Sequence, residues 1–414
     1  MTAYWCEQAW LGPGDIAASV LVHVTGSHIL KVSRDEAPGD AVRLAGLTIP
    51  GFANCHSHAF HRALRGRTQR EKGSFWTWRE TMYDVAARLD PDTYYSLARA
   101  TYEEMLLTGI TAVGEFHYLH HGPDGRRYAD ANAMGHALIS AARDAGLRMT
   151  LLDTCYISAG FGAPVEGVQG RFSDGDAERW AQRVSELKGT GAADGTIIGA
   201  AIHSVRAVPR DQLASVAGAL PVAPLHVHLS EQVAENDACM AAWGLTPTGL
   251  LAENGVVSDR LSAVHATHLT DADITTLASA RSNVCFCPTT ERDLADGVGP
   301  ARELVDAGAR LTLGSDSHAV IDAFEEMRAV ELDARLARQV RGHFQAAELL
   351  TAATATGHAS LGFDDAGRIA EGQWADLVTL AVDSPRMAGT GGSEEGLVFA
   401  ASPADVTSVV ASGV

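Results

Sequence analysis

Pro50-Gly51-Phe52-Ala53-Asn54-Cys55-His56-Ser57-His58 decides the reading of the fold, because an apolar run, Leu47 to Asn54, leads directly into two histidines one residue apart. Side chains two apart on a strand point to the same side, so His56 and His58 can reach one cation together. Seven further short aliphatic or β-branched runs follow: Thr111 to Glu115, Met149 to Leu152, Thr196 to Ile202, Pro224 to His228, Leu261 to His265, Asn283 to Cys287 and Leu311 to Asp316. Several end on residues that carry chemistry. His117 follows the second run, His203 the fourth, His228 closes the fifth, His265 the sixth and Asp316 the eighth.

Between the runs lie helical stretches, among them Asp92 to Thr108, Ala131 to Ala145, Ala177 to Leu187, Asp211 to Ala219 and Pro300 to Ala307. Gly109, Gly146 and Gly308 stand where a left-handed residue ends a helix before the next strand. Eight strands alternating with helices predict an α/β fold, a (β/α)₈ TIM-like barrel whose functional side chains gather at the C-terminal strand ends. A doubly wound open sheet would bring so many strand ends to one point less readily. The chain ends read differently: Tyr4 to Lys31 and Trp374 to Leu380 are short β segments with turns. The expected organisation is a small β-sandwich domain from residues 1–50 plus 366–414, flanking a barrel at 51–365. Gly389 to Gly396, within MAGTGGSEEG, reads as a loop.

A chain of 414 residues with 46% apolar and 20% charged residues has a large core and excludes disorder. Its net charge of −19 would repel a phosphate backbone or an anionic membrane, so neither is an expected partner. Six scattered cysteines do not form a disulfide framework, and no basic leader or membrane-length apolar run is visible. A cytoplasmic protein is the expectation.

Seventeen histidines are the compositional excess. His226 and His228 in HVHLSE face one way, so spacing leaves either as a ligand, with His228 nearer the strand end. Three imidazoles and the carboxylate of Asp316 suit Zn²⁺ or a neighbouring divalent ion. Cys285-x-Cys287 has no second cysteine pair and reads as small buried residues, although two thiolates could ligate zinc. His120-His121 reads as a solvated loop, and His23, His28, His343 and His358 as ordinary polar residues.

PGFANCHSHAF, HVHLSE, VHATHL, GSDS and GRIAEGQWADLVTL together resemble the strand-end motifs of the amidohydrolase superfamily and its return to a small β domain. More narrowly, HSHAFHRALRG, FWTWRE, GEFHYLHH, HSVRAVP and CPTTERDLADG are similar to the formimidoylglutamate deiminases of histidine degradation. Guanine and adenosine-type deaminases usually carry Ser-Asn where this chain has Thr290-Glu291. The resemblance implies one Zn²⁺ per chain, with Fe²⁺ as the other candidate, held by His56, His58, His228 and Asp316. It implies Glu231, His265 and Asp316 as catalytic residues, and His61, Arg79, Tyr118, His203 and Arg206 as contacts to the substrate. No lysine stands at the end of the fourth run to bridge a second metal.

The implied reaction is zinc-dependent hydrolytic deimination of N-formimino-L-glutamate to N-formyl-L-glutamate and ammonia. Zinc lowers the pKa of a water to roughly 7 for attack on the formimidoyl carbon, Asp316 takes a proton, Glu231 protonates the imine nitrogen and His265 polarises the attacked centre. The partner is then a small dicarboxylate amidine, met by arginines in bidentate geometry, and the resemblance allows a homodimer. His61 departs from the family, which leads one to expect glutamine there. Arg62 and Arg65 read as structural or paired with acidic neighbours. Cleavage of the other C–N bond, giving formamide and glutamate, is disfavoured by the resemblance alone. The competing readings are a deaminase of a heteroaromatic ring such as guanine, distinguished by the pocket arginines, and a non-catalytic zinc-binding barrel serving as a regulatory subunit, disfavoured by Glu231 and Asp316.

Overall fold

Gly51 divides the first apolar run between two sheets. The structure, a computed structural model, describes residues 1–69, 73, 75–189, 195–390 and 392–414. In it, Val42–Pro50 belongs to a sheet of the chain ends, and the first barrel strand is Phe52–Ser57. The single strand expected over Leu47 to Asn54 is therefore two, because Leu47 to Pro50 pair antiparallel with Leu377–Leu380 while Phe52 pairs with Ile110. Apolarity alone could not separate them, since both segments are buried.

Among the described residues the barrel has eight parallel strands in chain order. After the first come Ile110–His117, Arg148–Cys155, Thr196–Ile202, Leu225–Leu229, Leu261–His265, Asn283–Phe286 and Arg310–Leu313. Closure between the eighth and the first is made just past the strand end. The Asp316 N–H donates to the His56 carbonyl at 2.9 Å, and the His58 N–H donates to the Asp316 carbonyl at 3.1 Å. Gly314 permits this approach: a Cβ there would lie 2.8 Å from the His56 Cβ and 2.9 Å from its backbone nitrogen. Any side chain at 314 would push the two strand ends apart.

The chain ends form one six-stranded sheet, ordered Val406–Val410, Leu377–Leu380, Val42–Pro50, Thr2–Gly12, Asp15–Thr25 and His28–Ser33. It has its own apolar cluster, including Tyr4, Val20, Val22, Ile29 and Leu377. A buried ion pair ties it to the barrel, with Arg148 of the third barrel strand donating to Asp376. Thr111 donates to the same carboxylate at 3.0 Å.

The helices begin and end as their residues dictate. Pro91–Leu107 opens on Asp90, whose side chain accepts from the Thr93 N–H at 2.9 Å, with proline at the first position where no N–H is needed. Gly146 and Gly308, at φ +84° and +117°, close Ala133–Ala145 and Ala301–Ala307. The expected loop at Gly389 to Gly396 is partly helical instead, for Ser393 caps Glu394–Phe399 by accepting from the Gly396 N–H; Gly391 lies outside the described residues. Among the described residues no helix is long and apolar enough to cross a membrane, and all six cysteines are free and buried.

Two histidine expectations are corrected. His120 and His121 are buried, not solvated, because their backbone N–H groups donate to the Arg171 carbonyl at 3.0 and 2.9 Å and fold the loop onto the barrel. His358 is fully buried, its Nε2 3.0 Å from the Gly51 carbonyl and its Nδ1 3.4 Å from Arg148. His28 is the half-exposed polar residue expected, 3.4 Å from Asp365, a neighbour supplied by the other end of the chain.

Under the loop of His120 and His121 a charged layer is sealed from solvent. Arg183 donates to both Asp153 oxygens at 2.8 Å and to Asp174 at 2.9 Å. Burial alone would raise the Asp174 carboxyl, but His121 and Arg183 outweigh it and hold it down to about 2. Removing the guanidinium leaves buried Asp153 without its arginine, while Asp174 keeps Arg127 at 3.0 Å, a loss of roughly 3–5 kcal/mol for a broken buried pair. Arg183→Met is expected to lower the denaturant midpoint accordingly. Asp174 contributes stability above its unfolded range and loses it as pH falls towards 2, so the variant should also begin acid unfolding at a higher pH. An unchanged midpoint would show that the layer contributes little.

Candidate active site

The first barrel strand leaves its ladder at His56-Ser57-His58 and turns into a short 3₁₀ segment, Ala59–Leu64. Glu115, buried on the second strand, holds this exit by accepting from the Ser57 hydroxyl at 2.6 Å and the Ala59 N–H at 2.7 Å. Burial pushes the Glu115 carboxyl up to about 7, although the bonds from Ser57 and Ala59 oppose the shift. His228 sits at the end of the fifth strand, and Asp316 just beyond the eighth at φ +44°.

These four residues converge. His56 Nε2 lies 3.1 Å from His228 Nε2, which is 3.3 Å from His58 Nε2, and Asp316 Oδ1 lies 3.4 Å from both His56 and His58. The opposite nitrogens of two rings are committed. His58 Nδ1 donates to the Phe116 carbonyl at 2.9 Å and His228 Nδ1 to the His203 carbonyl at 2.8 Å. A carbonyl only accepts, so each Nδ1 bears the proton and, in the neutral ring, each Nε2 presents a lone pair. Burial, reinforced by the neighbouring imidazoles, holds both rings well below the ordinary histidine pKa and keeps them neutral. Two lone pairs facing each other at 3.3 Å beside a carboxylate have no proton to share. A cation satisfies all of them, and a tetrahedral centre with ~2.0–2.1 Å bonds to nitrogen would set its ligands about 3.3–3.4 Å apart. The residues therefore fit a first-row divalent ion.

His226, left open with His228 by the alternation of the strand, is not part of this cluster. Both rings face the barrel interior, but His226 lies one pleat repeat deeper, about 6.6 Å lower along the strand. Burial pushes its pKa down to about 3, so it remains a neutral core residue.

A cleft opens above the cluster with about 620 Å³ of space including its mouth. The sequence-predicted His61, Arg79, Tyr118, His203 and Arg206 all line it, together with Glu231 and His265. His61 Nε2 is 2.9 Å from the Tyr118 hydroxyl, and burial pushes the His61 pKa down to about 3. Burial raises the Glu231 carboxyl to about 7, with Asp316 and Glu235 pushing the same way against His265 and Arg206. Burial would lower the pKa of His265, yet Glu231, Glu291 and Asp316 outweigh it and hold it well above the ordinary value. Arg62 and Arg65 pair with Glu104 at 2.9 and 2.7 Å, as the sequence led one to expect.

The family model described as "Amidohydrolase family" matches residues 47–414. The chain belongs to the amidohydrolase family. It is 38% identical over 405 residues to the formimidoylglutamate deiminase of Pseudomonas aeruginosa, covering 95% of this chain and 89% of that one. Among solved structures, an amidohydrolase from Brucella melitensis shares 34% identity at a TM-score of 0.92, covering 100% of this chain and 94% of that one. An adenosine deaminase from Xanthomonas campestris, solved with bound zinc, has the same fold at a TM-score of 0.86 and 24% identity, covering 100% and 92%. The protein is thus a hydrolase acting on C–N bonds.

In this amidohydrolase several residues around the cleft escaped the sequence reading. Glu235 accepts from Arg206 Nε at 3.2 Å; it stands in the first turn of the helix Val233–Trp243, which begins just past Glu231. Glu291 reaches His265 Nδ1 at 3.3 Å; the only signal was its place in a motif where relatives differ. Tyr83, Tyr156 and Phe172 complete the wall and carry no local signature. The geometry separates the two histidines of the fifth strand experimentally. His228→Ala is expected to lose the bound divalent ion and His226→Ala to keep it, read by metal analysis of purified protein. Retention by the first and loss by the second would exchange their assignments.

Proposed function

We propose that this amidohydrolase deiminates N-formimino-L-glutamate to N-formyl-L-glutamate and ammonia, with one Zn²⁺ per chain at His56, His58, His228 and Asp316. The observation that carries the reading is the pair of arginines, Arg79 and Arg206, on the wall of the same cleft as the ligand cluster. On a chain of net charge −19, guanidinium groups at the cleft single out a substrate with carboxylates and provide the bidentate geometry that recognises them. A neutral ring such as guanine offers these guanidinium groups no carboxylate to bind. The relative from Pseudomonas aeruginosa supports the same substrate, and the zinc of the adenosine deaminase supports the same ion. Three imidazoles and a carboxylate are donors that zinc accepts readily.

When bound, the metal supplies Lewis acidity that lowers the pKa of a water from about 15.7 to roughly 7. Asp316 stays ionised, so its carboxylate is open to a water's proton. Burial opposes its ionisation, but His56, His265 and His61 hold its carboxyl well below the usual range. Glu231, at about 7, can both carry and release a proton near neutrality, as delivery to the imine nitrogen and then to the departing amine requires. His265 faces Asp316, Nε2 to Oδ2 3.9 Å, and polarises the reacting centre. Arg206, Arg79 and His203 orient the glutamate moiety, with Tyr118 and His61 completing the contacts. In balance, the water oxygen adds to the formimidoyl carbon, the bond to the terminal nitrogen breaks, and that nitrogen leaves as ammonia. The reading places the enzyme in the cytoplasm, acting on a small molecule.

The test is ammonia release by purified protein from N-formimino-L-glutamate and from guanine, before and after chelation. Release from the first alone, abolished by chelator and restored by Zn²⁺, is expected; release from guanine alone would overturn the assignment. Glu231→Gln should lose about 10²–10⁴ in turnover with the metal retained, and near-wild-type activity would remove its assigned role. Arg206→Met should raise KM about tenfold or more, with a smaller change in kcat.

A further inference from the structure

We propose that Glu291 is a positioning residue for His265, and that Thr290-Glu291 is a bracket fixing the place of His265 relative to Asp316. The proposal rests on His265 acting at the reacting centre, as in the function proposed above. Glu291 is buried on the helix Pro288–Leu294, and its Oε1 serves two donors at once. The Cys287 N–H donates to it at 2.8 Å, and His265 Nδ1 lies 3.3 Å from the same atom. The first bond anchors the carboxylate on its own helix terminus. The second makes it the partner of the imidazole nitrogen that faces away from the cluster.

The strand itself does not orient this ring. His265 and Ala266 both take positive φ, +67° and +48°, so the chain has left the extended path where the pleat dictates side-chain direction. Apart from Glu291, the carboxylate within 4 Å of the ring among the described residues is Asp316, 3.9 Å from Nε2, with Glu231 acting from farther away. Without an acceptor at Nδ1, stacking on His228 and the contact with Asp316 are left to orient the imidazole.

Thr290 supplies the other arm. Its Oγ1 accepts from the Ser317 N–H at 3.1 Å and lies 3.2 Å from the Ser315 carbonyl, gripping the residues on either side of Asp316. The helix carrying both arms is held by buried Glu326, which accepts from the Thr289 N–H at 3.1 Å and its hydroxyl at 2.5 Å. One rigid turn thus reaches His265 with one side chain and the Asp316 segment with the next. Asparagine at 291, one methylene shorter, would not span the gap from the same helix.

The test compares Glu291→Gln with Glu291→Met, two side chains of similar size of which only glutamine keeps an acceptor. Both should bind metal stoichiometrically and melt near wild type. Glu291→Met is expected to lose about a hundredfold in kcat for ammonia release, with KM within about threefold, and Glu291→Gln to recover to within about tenfold of wild type. Should the methionine variant fail to fold, Glu291→Asn is expected to show the same loss in kcat at unchanged KM. Equal kcat in Glu291→Gln and the variant without reach or acceptor, or a loss matching the unfolded or metal-free fraction, would overturn the proposal. Proton NMR provides a readout independent of substrate: a downfield imidazole Nδ1–H resonance, absent in His265→Ala, should be present in wild type and lost in Glu291→Met. Persistence of that signal would also overturn it. A wild type inactive on N-formimino-L-glutamate that still shows the signal would defeat the assigned substrate and leave the bracket standing.

Discussion

Two backbone hydrogen bonds, from Asp316 to His56 and from His58 to Asp316, close the barrel within the ligand cluster itself. The eighth strand cannot separate from the first without pulling Asp316 away from both histidines. Closure of the fold and assembly of the site are therefore one event. It has a local cost, because Asp316 sits at φ +44°, a conformation that costs a non-glycine residue about 1–3 kcal/mol. Gly314, which leaves room against His56, and the hydroxyls of Ser315, Ser317 and Thr290 hold the turn in place.

The same economy governs charge. A chain with a large acidic excess gives guanidinium groups inside the fold acidic neighbours: Arg206 with Glu235, Arg183 with Asp153 and Asp174, Arg148 with Asp376. Buried carboxylates divide into two kinds by environment. Those beside guanidinium groups or clustered imidazoles, such as Asp174 and Asp316, are held ionised. Glu231, dominated by burial with other carboxylates nearby, moves up towards neutrality. The contrast between Asp316 and Glu231, two acids on one cleft, leaves one carboxylate ionised and the other able to carry a proton near neutrality.

Much of the site was legible in the sequence because metal ligands are short-range signals. His56-x-His58, HVH and GSDS stand at the ends of apolar runs, and the alternation of a strand suffices to say that such side chains share a face. The strand reading failed where two buried segments are continuous: nothing in Leu47 to Asn54 marks the change from one sheet to the other except Gly51. His120-His121 misled because polar residues beside Gly-Pro-Asp-Gly look solvated, whereas the Arg171 carbonyl that draws them inward lies 50 residues away. Glu235 and Glu291 were missed for a related reason. Each matters through a partner on another segment, Arg206 for Glu235 and His265 for Glu291, and neither is distinguished locally from the many exposed glutamates of the chain.

The sequence by itself determined the class of fold, the sheet from the chain ends and the candidate ligand set up to the choice within the fifth strand, since periodicity and residue chemistry are written locally. Only the tertiary structure decided that His228 rather than His226 joins the cluster, because depth in a barrel depends on the stagger of neighbouring strands. It also decided which carboxylates are paired and which are left to burial, since that depends on distances between segments that sequence order does not record.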